Sequence, residues 1–199
     1  MSAETARRIC SVLRKCFAPL GMTLVVAAYA PAQRPPTATE TAARRASRIA
    51  DSLLRRMTLE EKLGQLTQTP AGYGQTGPTV DPGGETQVRE GKLGSFLNLY
   101  GANETRRMQR IAVEESRLHI PLLFGYDVIH GMRTIFPVPL AMAATFDSTA
   151  AVRMARVSAV EATAMGLHWT FAPMLDIARD ARWGRVVEGA GEDPYLGSV

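Results

Sequence analysis

Ile120-Pro-Leu-Leu-Phe-Gly-Tyr-Asp127-Val-Ile-His130-Gly131 is the stretch on which the fold turns. It opens as a nearly unbroken apolar run over 120–124, entered through a proline. Such a run suits a strand buried on both faces, as in a parallel sheet covered by helices. Gly125, Tyr126, Asp127, His130 and Gly131 follow at once, all residues that recognise a polar ligand or bend the chain. In an α/β barrel, ligands sit beyond the C-terminal ends of the strands. The stretch therefore reads as a buried strand that delivers the Asp127 carboxylate to such an end. The plainer reading of Asp127 is an aspartate that caps a turn.

Working outward, the same alternation recurs. Upstream, 92–98 reads as a first barrel strand. Asn103 follows as the cap of a helix that buries Met108, Ile111, Ala112 and Leu118 and turns Arg106, Arg107 and Arg110 to water. Downstream, Phe136-Pro-Val-Pro139 excludes regular helix. Asp147 caps an alanine-rich helix over 148–165, ended by Gly166, and 167–172 is another buried strand leading to Met174, Leu175 and Asp176. Ahead of these lie two helices. The first spans 42–57 and repeats Ile49, Leu53 and Met57 along one face. The second begins at a capping box, Thr58-Leu-Glu-Glu61, and aligns Leu59, Leu63 and Leu66. Residues 70–84, rich in Gly, Pro and Thr, read as a long loop. Strands alternating with helices predict parallel βα units. The predicted fold is α/β, an incomplete TIM-type (β/α) barrel of which three strands, the N-terminal portion only, are present. A complete barrel takes ~250 residues, whereas the chain has 199 and stops at Gly197-Ser198-Val199, just after a new helix begins.

The N-terminus reads separately. Arg7, Arg8, Arg14 and Lys15 precede an apolar run over 17–30 that is too short and interrupted to span a bilayer comfortably. Residues 1–32 are predicted to be a secretory signal peptide, cut behind Ala30-Pro-Ala32, with an uncleaved anchor as the alternative. Four bases against Glu4 leave with it, so removing that +3 takes the formal net charge from +4 to +1. The basic balance thus argues for no nucleic-acid partner. Cys10 and Cys16 leave too, so no disulfide, zinc site or cysteine nucleophile is expected. Residues 33–42 read as a disordered linker, and 43–199 as the truncated N-terminal part of the barrel domain. The predicted location is periplasmic or secreted, with no membrane association after cleavage.

Behind the last strand comes a dense run of ionisable groups around a tryptophan, Arg179-Asp-Ala-Arg182-Trp183-Gly184-Arg185-Val-Val-Glu188-Gly-Ala-Gly-Glu192-Asp193-Pro194. Carboxylates and guanidinium forks grip hydroxyls, and an aromatic face covers the apolar side of a sugar ring, so these parts suit a sugar site. They equally suit an internal ion-pair network that holds a loop. Chemistry alone leaves the two readings even.

Five pieces in order resemble glycoside hydrolase family 3, specifically secreted bacterial β-glucosidases. They are Met57-Thr-Leu-Glu-Glu-Lys62 with Gly64-Gln65-Leu66, Tyr126-Asp-Val-Ile-His-Gly131, Pro173-Met-Leu-Asp176, Arg182-Trp-Gly-Arg185 and Gly191-Glu-Asp-Pro194. The resemblance covers 43–199. It implies an exo-acting, retaining β-glucosidase that takes a β-linked glucoside or oligosaccharide at its non-reducing end, with no cofactor and no metal. It also implies that Asp127 and Arg185 hold the sugar of the −1 subsite. His130 is expected to bond within its turn, His119 and His168 to be structural, and Trp183 to wall the loop; Glu188 is left undecided. The family's nucleophile lies in a Ser-Asp-type segment and its subsite includes a Lys-His pair; neither dipeptide occurs here. No catalytic residue is therefore assigned, and the 199-residue chain by itself is expected to be inactive. A β-xylosidase of the same family, or a non-catalytic sugar-binding remnant, are the alternatives. Oligomeric state is not readable from this sequence.

Overall fold

The computed structural model of the protein describes residues 37–74 and 77–199. The predicted signal segment and both cysteines lie outside the described residues, as does 33–36 of the predicted linker. The chain divides into two compact units, Met1–Ala43 and Arg44–Val199. Helix α1 (Ala38–Arg56) begins ahead of the predicted start at 42. The cause is a capping pair missed in the sequence: Thr37 Oγ1 accepts from the Glu40 amide, and Glu40 Oε2 accepts from the Thr37 amide. Its apolar face is only partly covered, with Leu53 and Met57 half-buried and Ile49 exposed.

Thr58 and Glu61 form the predicted capping box and start α2 (Leu59–Leu66). The chain then runs through β1 (Gln68–Pro70), β2 (Gly72–Gly74), β3 (Gly77–Thr79), α3 (Pro82–Arg89) and β4 (Ser95–Leu97). Next come α4 (Ala102–Arg110), which continues into a π-helical turn over Ile111–Glu115, then β5 (Leu123–Tyr126) and α5 (Pro139–Ala143). Helix α6 (Ser148–Ala164), β6 (Trp169–Thr170), a 3₁₀ turn over Val186–Glu188 and α7 (Pro194–Ser198) complete it.

Four strands, in the order β1-β4-β5-β6, form one sheet with every pair parallel. The α/β expectation holds, with one strand more than predicted. β1 was missed, so the strand at Ser95–Leu97 is the second of the sheet and not the first. Gln68-Thr-Pro is three residues long and ends in proline, which leaves almost no apolar pattern to read. The loop predicted over 70–84 is also partly ordered: β2 and β3 pair as an antiparallel hairpin, and Asp81 caps α3 by accepting from the Gly84 amide at 2.6 Å. Asn103 is not a cap. α4 starts behind Gly101, whose φ of 102° suits glycine and whose amide donates to the Met165 carbonyl. Asp147 does cap α6, accepting from the amides of Thr149 and Ala150, and Gly166 ends that helix at φ +84°.

The core fills the space between the sheet and the helices α3 and α4. Phe96, Leu99, Met108 and Phe124 are its largest fully buried side chains, joined by Val88, Leu93, Ile111, Leu122 and Leu167. Phe96 and Phe124 are register partners on β4 and β5, so both point to one face and their rings stack with centroids 6.2 Å apart. Burial of each such side chain contributes ~1.5–3 kcal/mol. The opposite face differs from expectation. β5 is not buried on both sides, because Leu123 stays 50% exposed there. Gly125 lies on that face under the Phe171 ring, where a Cβ would come within 2.9 Å of a ring carbon. Four strands cannot close around their own interior, as the eight of a complete barrel do.

Candidate functional site

Asp127 directly follows β5 and is exposed at the C-terminal end of the sheet. It projects from a tight turn in which the Val128 amide donates to the Tyr126 carbonyl at 3.1 Å, and the buried Val128 side chain anchors that turn. Alongside, Asn98 leaves β4 with a left-handed φ of 64° and donates its amide to the Gly125 carbonyl. Tyr100 and Tyr126 meet edge to face at 5.2 Å, which closes the floor between the two strand ends.

The loop behind Asp127 is tied in three ways. His130 Nδ1 lies 2.9 Å from the Phe136 carbonyl, and the Phe136 amide donates to the His130 carbonyl, so His130 bonds within its turn as expected. Gly131 sits at φ +118°, facing the Thr134 carbonyl so closely that any Cβ would overlap it. Glu161 reaches across from α6: Oε2 accepts from the amides of Arg133 and Thr134 at 2.8 Å, and Oε1 from Thr134 Oγ1 at 2.7 Å. These bonds, led by the Thr134 hydroxyl, hold the Glu161 carboxyl below its ordinary pKa. No feature of the sequence marked Glu161, since its partners lie some thirty residues away and two of them are backbone amides.

After β6 the chain makes a long excursion that is pinned where it returns. Met174 pairs with Gly189, and the Ala178 amide donates to the Gly191 carbonyl at 3.0 Å. The Arg-Trp-Gly-Arg piece splits within it. Arg182 turns outward and chelates Asp180, while Trp183 is half-buried in the loop. Arg185 forks onto Glu188, with Nε 3.0 and 3.1 Å from the two carboxylate oxygens and Nη2 2.6 Å from Oε2. The turn that carries Glu188 packs against α5, which descends from the Asp127 loop. The two loops therefore meet at one end of the sheet.

Electrostatics link the predicted pair. The Glu188 hydrogen bonds raise the Arg185 pKa most, desolvation opposes them, and the charges of Glu188, Asp176 and Asp127, in that order, add smaller increments to the rise. Asp127 and Asp176 thus lie near enough to Arg185 for their charges to reach it, and nothing in the sequence singles out Asp176 for this. The arrangement offers carboxylate acceptors beside a guanidinium donor, which suits hydroxyl groups of a neutral polyol. Among the described residues no group of three or more His, Cys, Asp or Glu is placed to hold a metal ion, and no helix is long and apolar enough to cross a membrane. His119 bonds the Val113 carbonyl and His168 receives the Phe124 amide, both within the scaffold.

Comparison with known proteins agrees with the motifs. The profile of the glycosyl hydrolase family 3 N terminal domain matches residues 58–199. The chain is 43% identical over 147 residues to a periplasmic β-glucosidase of Salmonella typhimurium, a match covering 74% of this chain and 19% of that protein. It is 32% identical over 178 residues to a periplasmic β-glucosidase/β-xylosidase of Dickeya chrysanthemi, covering 76% of this chain and 26% of that one. Among solved structures it is similar to the β-glucosidase from Listeria innocua in complex with isofagomine. That likeness has a TM-score of 0.65 and 42% identity, covering 76% of this chain and 21% of the other. The chain spans about a fifth of the length of the first curated relatives it matches, which it covers to 19% and 21%.

Proposed function

This chain belongs to glycosyl hydrolase family 3, and on that premise we propose that the protein carrying it is an exo-acting, retaining β-glucosidase. It hydrolyses the terminal O-glycosyl bond at the non-reducing end of β-linked glucosides or oligosaccharides. What supports the reading is the family match over 58–199, together with the place of Asp127, exposed directly behind β5 and near enough to Arg185 for its charge to reach it. In the proposed −1 subsite the Asp127 carboxylate accepts hydrogen bonds from sugar hydroxyls, and the Arg185 guanidinium donates to them. Neither residue breaks the bond. A retaining reaction runs through two carboxyl groups ~5–5.5 Å apart, a nucleophile and an acid that then serves as base. The family resemblance assigns those groups, with a Lys-His pair, to segments that the 199 residues do not contain.

The names of two relatives support export: the Salmonella and Dickeya proteins are periplasmic. Residues 1–32 act as the signal, and the exported form begins near Gln33, so that Cys10 and Cys16 leave with the signal. Mass spectrometry of exported protein checks this, and an intact Cys10-containing N-terminus would refute it. A β-xylosidase is the second reading, favoured by the double name of the Dickeya relative. Relative kcat/KM on aryl β-glucoside and aryl β-xyloside separates the two. The subsite itself is tested by Asp127→Asn in the full-length protein, read as kcat/KM with and without added azide. A damaged enzyme that azide does not rescue is the expected outcome, and unchanged kinetics would return Asp127 to a turn cap.

A further inference from the structure

We infer that Glu188 is a positioning residue, whose carboxylate holds the Arg185 guanidinium off Asp127 so that both groups stay available to sugar hydroxyls. This rests on the proposed roles of Asp127 and Arg185. The problem Glu188 solves is electrostatic. A carboxylate and a guanidinium that share one site attract each other, and their most favourable arrangement is a bidentate pair. Direct pairing of Asp127 with Arg185 would use up the acceptors and donors that the sugar needs. A second carboxylate already bound to the guanidinium opposes that collapse.

The geometry fits this task. Arg185 precedes the 3₁₀ turn Val186–Glu188, and side chains three residues apart eclipse in a 3₁₀ helix, so Glu188 falls beside it. Glu188 takes the Nε and Nη2 edge of the guanidinium through three contacts of 2.6–3.1 Å. Among the described residues Nη1 has no hydrogen-bond partner. Because the guanidinium is planar with its donors in a rigid fork, fixing one edge fixes the direction of the other. The better-fixed partner is Glu188, whose side chain is 26% exposed against 61% for Arg185. Its turn is held from both sides, by packing on α5 and by the Met174–Gly189 bridge immediately behind it. Glu188 is therefore the anchor and Arg185 the group that is aimed. A mere surface ion pair would contribute little to stability and nothing to sugar affinity.

The experiment uses the full-length protein and compares Glu188→Gln, Arg185→Gln and the double variant for aryl β-glucoside hydrolysis and for Tm. Glu188→Gln should raise KM and lower kcat/KM about tenfold, the scale of one charge-assisted contact, with Tm near that of the parent. Arg185→Gln should lower kcat/KM further, and the double variant should be no worse than Arg185→Gln alone, because Glu188 acts through Arg185. Glu188→Asp, which keeps the charge on a shorter arm, should fall between Glu188→Gln and the parent. Kinetics of Glu188→Gln within twofold of the parent, beside a damaged Arg185→Gln, would overturn the role of Glu188 and leave that of Arg185 standing. Full additivity in the double variant, or unfolding of both Glu188 variants, would make Glu188 independent of Arg185 and overturn it equally. A harmless Arg185→Gln would instead remove the subsite reading, and this inference with it.

Discussion

Asp127 stands one residue beyond a strand and is exposed, so its carboxylate is free to lose its charge without disturbing the core. That makes Asp127→Asn an informative substitution, since it keeps the shape and removes only the charge. A carboxylate that grips sugar hydroxyls tightens its bonds as the ring flattens toward the oxocarbenium-like transition state. Charge-assisted bonds contribute ~1.5–3 kcal/mol, or roughly ten- to a hundredfold in rate when fully expressed in the transition state. We expect a loss of kcat/KM of at least that order, with the fold intact. A nucleophile would behave otherwise: its removal nearly abolishes turnover, and azide restores it by attacking the anomeric carbon. A glycosyl-azide product from the variant would therefore reassign Asp127 as the nucleophile. At this scale Asp127 was legible because it follows an apolar run at once, and Arg185 because it belongs to a dense charged motif. Glu161 and the pairing of Glu188 were not. The partners of Glu161 lie on a distant loop and two of the three are backbone amides, which carry no residue-type signal, while Glu188 meets Arg185 only because 186–188 winds as a 3₁₀ turn.

Between elements, the most informative contact is the one that Glu61 makes. Its Oε2 closes the capping box on the Thr58 amide, and its Oε1 accepts from Arg117 Nε at 2.9 Å. Arg117 also donates to the Arg56 carbonyl, so the junction of α1 and α2 is tied to the segment that leads into β5. The Arg117 hydrogen bonds, followed by that from Thr58, lower the Glu61 pKa from the usual 4.5 to about 2. A carboxyl depressed on folding stabilises the protein above its unfolded-state pKa, and this contribution is lost as pH falls through the folded value. Acid should therefore erode stability between about 4.5 and about 2. In Glu61→Gln the stability at neutral pH should be lower and the acid limb in that window shallower, read from urea midpoints across pH. An unchanged acid limb would show that the pair contributes nothing on folding. The capping box itself was legible, because Thr-x-x-Glu ahead of a leucine stripe has few other readings. β1 was not, since its three residues end in proline and its place is fixed only by pairing with β4. Asn103 was misread for a related reason: the cap was supplied by the positive φ of Gly101 and no side chain was needed.

Across the whole molecule, the alternation of strands and helices and the incomplete barrel are legible in the sequence, whereas the exposure of one sheet face is not. Helices cover the Phe96 and Phe124 face, while Leu123 remains half exposed on the other. Leu59, Leu63 and Leu66 form the predicted stripe on α2, yet all three are exposed, Leu66 to 84%. β1 and β6 are the two edges of the sheet, each with one unpaired side among the described strands. Open edges beside exposed apolar side chains invite association with other chains. The chemistry is equally partial, since Asp127 and Arg185 are proposed to bind sugar and no residue among the 199 is assigned as nucleophile or acid. We therefore expect the 199-residue polypeptide, produced by itself, to self-associate in sedimentation and to hydrolyse aryl β-glucosides no faster than a mock preparation. Turnover well above that background, lost on Asp127→Asn and rescued by azide, would place the nucleophile in this chain and overturn the division of labour proposed for it. Turnover that survives Asp127→Asn would instead require a carboxyl pair elsewhere among these residues, and Asp176 and Glu188 would be the first to substitute, because both act on Arg185 at the same end of the sheet.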